Sequence, residues 1–247
     1  CKKSGTVKTG PYATISHDGP EYETGTMLGA NLMISDLDGL LMLIYMGDDY
    51  GIDIISVGNV IGFLMEAYEK KLVDKKFLDG IDLTWGNVDA AIAMMEKIVY
   101  RKGIGKDASL GVKHLAEKIG KDSGKFAIHV KGQELAAWNV HVEKDFILSY
   151  TMANRGACHM NSGTKDGQDG NTMHDAIGIC RFVLGGFGGN EQVVKFLNAI
   201  LGTNYTEADY LKIGERIYNL ERAFNCREGF DSKDDILPER FFSEPLT

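Results

Sequence analysis

Cysteine is scarce in this chain, and its spacing is uninformative on its own. Four cysteines stand at positions 1, 158, 180 and 226 with no CxxC pair, which excludes a dense disulfide scaffold and a metal site built from neighbouring thiols. Reduced thiols in a cytoplasmic protein are the expectation. Basic residues are in deficit: 27 Lys and Arg face 35 Asp and Glu, a formal net charge of -8. That balance argues against nonspecific nucleic-acid binding and against docking on an anionic membrane surface. No apolar run reaches membrane-spanning length, the nearest being Leu40 to Met46. No signal peptide is visible, and the first residue is Cys1 rather than methionine, so the natural N-terminus is expected upstream. Hydrophobic content of 44% with 25% charged residues suits a folded globular chain, and 247 residues suffice for one or two domains.

Periodicity predicts a mainly α protein. Asp36 can cap a helix through Leu37, Leu40, Leu41, Ile44 and Tyr45, which Gly47 or Gly51 can end. Further helices are expected over Ile54 to Lys71, Val88 to Arg101 behind Asn87, and Ser109 to Ile119 closed by Gly120. Ile147 to Asn154, Met173 to Leu184, Glu191 to Leu201 and Glu207 to Phe224 complete the set. Short extended segments are expected at Ala127 to Val130 and near Val7 to Thr14. The stretch NSGTKDGQDGN, Asn161 to Asn171, has no apolar residue and three glycines. It reads as an exposed loop and a candidate boundary between helical subdomains, with Gly185 to Asn190 as an alternative hinge.

One six-residue pattern occurs twice: Asp48-Asp-Tyr-Gly51-Ile52-Asp53 and Asp175-Ala-Ile-Gly178-Ile179-Cys180. Each copy offers a carboxylate, a glycine that lets a ligand or backbone come close, and a terminal group able to act as an anion. Two such devices suggest a ligand with two similar ends. The plainer reading is a helix end followed by a helix start.

Other segments carry potential chemistry. Gly19-Pro20-Glu21-Tyr22-Glu23-Thr24 sets two carboxylates around a tyrosine, and in a strand Glu21 and Glu23 would share a face. A solvated acidic turn is the plainer alternative. Asn154-Arg155-Gly156-Ala157-Cys158-His159 concentrates a guanidinium, a thiol and an imidazole that could serve a reacting oxygen. His129, Lys131 and Glu134 in HVKGQE are further polar candidates, whereas His17, His114, His141 and His174 show no ligand spacing and read as surface or satisfied core residues.

The order GPEYET, DDYGID, WGN, HVKGQEL, NRGACH, DAIGIC and LPERFF, from Cys1 to about Phe242, closely resembles the tungsten-containing aldehyde ferredoxin oxidoreductase family. The resemblance implies a fold of two helical subdomains, the family's C-terminal domains: 1–125, partial and beginning at a cluster cysteine, and 126–247, truncated at its C-terminal end. A β-rich N-terminal domain that carries most of the cofactor contacts is implied upstream. The cofactors implied are a tungsten or molybdenum bis-pterin and a 4Fe–4S cluster. Cys1 would be the third cysteine of a CxxCxxxC run and Cys180 the fourth cluster ligand, since each iron takes one outside thiolate. Asp48 and Asp175 would accept hydrogen bonds from the amino edges of two pterins, with Ile52, Asp53 and Ile179 lining the same contacts. Glu21 or Glu23, left open between them, and His159 would stand near the metal. The implied reaction is aldehyde plus water to carboxylate, with ferredoxin as electron acceptor, in an anaerobic cytoplasmic setting. A homodimer is admitted, and the isolated fragment is expected to be inactive.

There are departures. Between His159 and Asp175 the chain has only a short Gly/Asp-rich segment, Asp36 to Tyr50 lacks the glutamate that in some members ligates a metal between subunits, and Ala137-Trp-Asn-Val-His141 replaces an aromatic-Asp-Pro-Arg run. Two alternatives follow: a benzoyl-CoA reductase-like catalytic subunit acting on an aromatic thioester, or a cofactor-free helical interaction module.

Overall fold

The computed structural model describes residues 3–161 and 163–245, with only the backbone at 184, 185 and 187. The chain is mainly helical, as its periodicity predicts. A hairpin of β1 (Ser4–Thr6) and β2 (Ser16–Asp18), antiparallel with Gly5 opposite His17, comes first. Helices α1 (Tyr22–Leu28), α2 (Leu37–Asp49), α3 (Ile54–Glu69), α4 (Val88–Val99), α5 (Gly105–Ala108) and α6 (Gly111–Ile119) follow. A second two-residue pairing, β3 (His129–Val130) with β4 (Gln133–Glu134), leads into α7 (Asp145–Met152). Then come α8 (Lys165–Ile177), α9 (Arg181–Phe187), α10 (Asn190–Leu201), α11 (Glu207–Arg227) and α12 (Arg240–Ser243). No helix among the described residues is long and apolar enough to cross a membrane.

Helix starts follow local chemistry. Asp36, Asp53, Asn87, Thr164 and Thr206 each accept a hydrogen bond from a backbone N–H of the first turn they cap. The largest apolar cluster runs from Leu28 to Ala127 around α3. Val130, Leu135, Ala136, Val140, Tyr150, Ala157 and Leu237 form a second, and Met173, Val193, Val194 and Tyr210 a third. Two glycines of α3 let α1 and the turn that follows it lie close. A Cβ at Gly58 would lie 2.6 Å from the Met27 carbonyl oxygen, and one at Gly62 would lie 3.0 Å from Asn31 Nδ2.

Four sequence expectations are corrected. Glu21 and Glu23 do not sit on a strand: Glu21 is the N-cap of α1 and Glu23 lies in its first turn, with the Thr24 hydroxyl accepting from the Glu21 N–H at 2.9 Å. Val7 to Thr14 is the connection of the hairpin, not a strand. Asn161 to Asn171 is not all loop, because α8 starts at Lys165. Asp169 and Gly170 are buried, and Gly214 of α11 comes so close that a Cβ there would lie 2.0 Å from the Asp169 carbonyl oxygen. Packing against α11 therefore overrides the poor helix propensity of Gly167 and Gly170. Finally, Met173 to Leu184 is two helices, broken at Gly178.

Candidate active site

The two copies of the repeated pattern are the same backbone device. The Gly51 N–H donates to the Asp48 carbonyl at 3.1 Å and the Ile52 N–H to the Gly47 carbonyl at 3.0 Å; the Gly178 N–H donates to Asp175 at 3.1 Å and Ile179 to His174 at 3.1 Å. Each glycine is left-handed, φ +65° at Gly51 and +73° at Gly178, so each helix ends in a glycine cap with the longer bond of a Schellman turn. Asp53 and Cys180 then cap α3 and α9. The plainer reading, a helix end followed by a helix start, is thus correct about geometry. It leaves something over. Among the described residues nothing lies within 4 Å of a Cβ built on either glycine, and Asp48, Asp53, Asp175 and Cys180 are exposed while Ile52 and Ile179 are half-buried. Both turns present a carboxylate beside an open backbone surface.

Between them lies an acid and an imidazole. Glu23 Oε2 accepts from the Ala137 N–H at 2.9 Å, while its Oε1 is buried, has no hydrogen-bond partner, and faces His159 Nε2 at 3.7 Å. At that separation the two are neighbours rather than hydrogen-bonded partners. Burial pushes the Glu23 carboxyl above the ordinary carboxylate value, opposed by the Ala137 N–H, reinforced by the charge of Asp53 and opposed again, less, by the Trp138 side chain. Burial also pushes the His159 imidazole below its ordinary value, and Arg181 and Arg155 add to this. Both shifts favour the neutral forms of the two groups and so work against ion pairing between them. Asp53 ends the first motif and Arg181 follows the second, so a charge from the end of each motif is felt at the pair.

The pair is held from several elements. Aromatic rings wall it: Tyr22 on Trp138 at 4.6 Å, Trp138 on Phe146 at 5.3 Å, and Phe146 edge-on to His159 at 6.5 Å between centroids. Tyr150 is fully buried and donates to the Trp138 carbonyl at 3.2 Å; burial, then the charge of Glu23, raises its phenol. The loop carrying His159 turns at Gly156, φ +107°, where a Cβ would lie 2.8 Å from the Val130 carbonyl oxygen. Helix α11 clamps that loop: Asn154 Nδ2 donates to the Tyr218 carbonyl at 2.9 Å, Tyr218 Oη to the Met152 carbonyl at 2.6 Å, and Asn225 Nδ2 to the Asn154 carbonyl at 2.6 Å. A cavity of about 740 Å³ opens here, lined by Asn154, Arg155, Asp175, Ile217, Leu220 and Phe224 among others. A second, of about 410 Å³, lies under the first motif beside Ile52, Asp53 and Arg101.

Of the two glutamates the sequence leaves open, the structure brings Glu23 to His159; Glu21 is exposed at the helix cap. Cys1 lies outside the described residues. Cys180 is an exposed free thiol, and among the described residues no group of three His, Cys, Asp or Glu side chains could hold a metal. The HVKGQE candidates are occupied structurally. Buried Glu134 accepts from the Ser56 hydroxyl and the Val112 N–H, both at 2.8 Å, and Lys131 pairs with Asp235. Sequence reading missed Trp138, Tyr150, Arg181 and His17, whose Nε2 bonds Asp48 Oδ2. Only Arg181, next to Cys180, carried a positional signal.

The family model for aldehyde ferredoxin oxidoreductase, domains 2 and 3, matches residues 1–247. The chain belongs to that family. A tungsten-containing aldehyde ferredoxin oxidoreductase of Thermococcus kodakarensis is 36% identical over 256 aligned positions, covering 93% of this chain and 42% of that protein. The WOR-like subunit of an aliphatic sulfonate oxidoreductase of Pyrococcus furiosus is 34% identical over 263 positions, covering 100% of this chain and 42% of that protein. The chain thus spans well under half the length of these relatives. Among solved structures, the active-site complex BamBC of benzoyl coenzyme A reductase with 1,5-dienoyl-CoA matches with a TM-score of 0.71 at 18% identity, covering 98% of this chain and 46% of that one. That likeness is one of fold.

Proposed function

We propose that this chain is the C-terminal part of an oxidoreductase that converts aldehydes to carboxylates at a tungsten or molybdenum bis-pterin centre, with electrons leaving through a 4Fe–4S cluster to ferredoxin. The observation that carries it is the Glu23–His159 pair, 3.7 Å apart, in a chain with two glycine-capped turns of the same backbone form, each showing an exposed aspartate. The residues fit a two-ended pterin ligand, because the space over Gly51 and Gly178 is open and Glu23 Oε1 is an orphaned buried acceptor. Bound there, the metal–pterin centre supplies the redox chemistry and oxygen activation.

The chain's own residues then do the following. Asp48 and Asp175 accept hydrogen bonds from the amino edges of the two pterins and fix their orientation, with Ile52, Asp53 and Ile179 lining the contact. Glu23, its pKa raised, takes or returns the proton of water or of the aldehyde carbon, and His159 hydrogen-bonds the carbonyl oxygen through Nε2. The aromatic wall of Tyr22, Trp138 and Phe146 limits water at the pair. Cys180, an exposed free thiol, would be the residue that holds the cluster, with Cys1 as the other ligand from this chain. Glu21 takes no part.

The division into 1–125 and 126–247 belongs to the same proposal, supported by an apolar cluster that ends at Ala127 and others that begin at Val130. The benzoyl-CoA reductase alternative has only the shared fold in its favour, and the cofactor-free module leaves the orphaned Glu23 oxygen unexplained. The test is made on the full-length protein, isolated anaerobically. Metal analysis and viologen reduction with a panel of aldehydes should show tungsten or molybdenum with iron, and aldehyde-dependent turnover. Neither metal, or turnover only with a thioester, overturns the proposal.

A further inference from the structure

The two Asp-x-x-Gly-Ile turns share a backbone but not a setting, and the difference lies in His17. The β1–β2 hairpin lies along one face of α2. A Cβ at Gly5 would meet Leu41 Cδ2 at 2.9 Å, one at Gly19 would meet Ile44 Cγ2 at 3.7 Å, and the His17 ring stands edge-on to Tyr45 at 6.0 Å. Leu41, Ile44, Tyr45 and Asp48 follow one another at helical spacing. The hairpin therefore delivers the His17 imidazole to the end of that row, where Nε2 bonds Asp48 Oδ2. The Gly19 N–H closes the hairpin on the Lys3 carbonyl, so the imidazole reaches Asp48 from a braced element.

Nothing of this kind serves the second turn. Among the described residues no hydrogen bond is made to the Asp175 carboxylate. Its charge is felt by Arg181, half-buried at the start of α9. One turn thus has a carboxylate pinned by a directional imidazole bond, and the other has a carboxylate beside a guanidinium.

We infer that His17 is a positioning residue for the first of the two ligand sites. Its Nε2–H engages one oxygen of Asp48 and leaves the other oxygen, beside the open backbone of Gly51, aimed at the amino edge of a single pterin. A partner that orients a ligating carboxylate in this way fixes both its rotamer and its acceptor direction. The two pterin sites are then inequivalent: the first depends on His17 and the second does not.

The inference rests on the bis-pterin reading, and the experiment separates the two. Pterin is released by oxidation from full-length holoprotein and counted per chain by fluorescence in the parent, His17→Phe and His17→Gln. His17→Phe keeps a ring to pack on Tyr45 but removes the bond, and His17→Gln keeps an amide N–H that can reach Asp48. Loss of an orienting partner weakens a site by about tenfold or more, so His17→Phe should lose about half of its pterin, while His17→Gln keeps most of it. Parental pterin content in His17→Phe, or equal loss in both variants, overturns the inference while leaving the bis-pterin reading intact. A parent protein devoid of pterin overturns that reading itself.

Discussion

Glu23 is stored in the form that folding prefers and chemistry must spend. Its buried Oε1 has no donor, and burial raises its pKa, so the protonated side chain is the one the fold stabilises. The sign is definite. A carboxyl with a raised folded pKa contributes stability that is present below the unfolded value and is lost as pH rises through the folded one. Glu23→Gln, which cannot ionise, should therefore gain thermal stability relative to the parent as pH rises above the ordinary carboxylate value, while aldehyde turnover falls by about 10²–10⁴-fold. Melting curves of both proteins across that range test the first part; a stability difference that shrinks with rising pH refutes it. Alternation suggests a shared face for Glu21 and Glu23, but a helix turns residues two apart to opposite sides. Only the fold chooses between them. His159 was legible as chemistry, yet the lowering of its pKa by burial and then by Arg181 and Arg155 arises only in three dimensions.

Elements position that pair through glycine. Gly58 lets α1 lie against α3, and Gly156 turns the His159 loop against β3. Gly58→Ala places a methyl 2.6 Å from the Met27 carbonyl and should cost about 1–3 kcal/mol. Because α1 carries Glu23, turnover should fall further than stability does, on the order of 10²-fold for a displacement near 1 Å. Denaturant melts set beside kcat/KM check the split; equal losses would mean α1 does not move. Most helices were readable from periodicity and caps, Asp36 and Asn87 among them. The misread stretch Asn161–Asn171 has a physical reason: a segment without apolar residues still becomes helical from Lys165 when a neighbour buries its backbone, as α11 does at Asp169 and Gly170. The repeated motif was readable as a pattern, and Gly51 as a helix end, but Gly178 was read as lying inside a helix that it in fact ends. The open space above Gly51 and Gly178 was not, because emptiness is a property of everything else in the fold.

At the scale of the whole molecule, side-chain hydrogen bonds tie the first apolar cluster to the later part of the chain. Glu23 reaches Ala137, Asn59 Nδ2 donates to the Leu135 carbonyl at 2.8 Å, Ser56 reaches Glu134, and Arg240 grips Glu66 with both guanidinium nitrogens. The last of these fastens α12 to α3. Arg240→Ala leaves Glu66, among the described residues, only its ion pair with Lys70 at 3.4 Å and should cost about 1–3 kcal/mol, seen first as faster proteolysis after Leu237 with the rest of the chain protected. Uniform digestion would contradict that. Family membership was legible from the order of seven short motifs. The tie between the parts was not, because its polar contacts join residues from Glu23 to Arg240.

The central claim is that Glu23, beside His159, handles the proton in turnover at this site. It is tested most directly by the pH dependence of kcat/KM for aldehyde-dependent viologen reduction, measured on full-length parent and Glu23→Gln holoprotein with equal metal content. The account predicts a parental profile whose rising limb lies above the ordinary carboxylate value, and a Glu23→Gln profile that is lower throughout and lacks that limb. A Glu23→Gln enzyme that keeps the parental rate and the parental limb would contradict it.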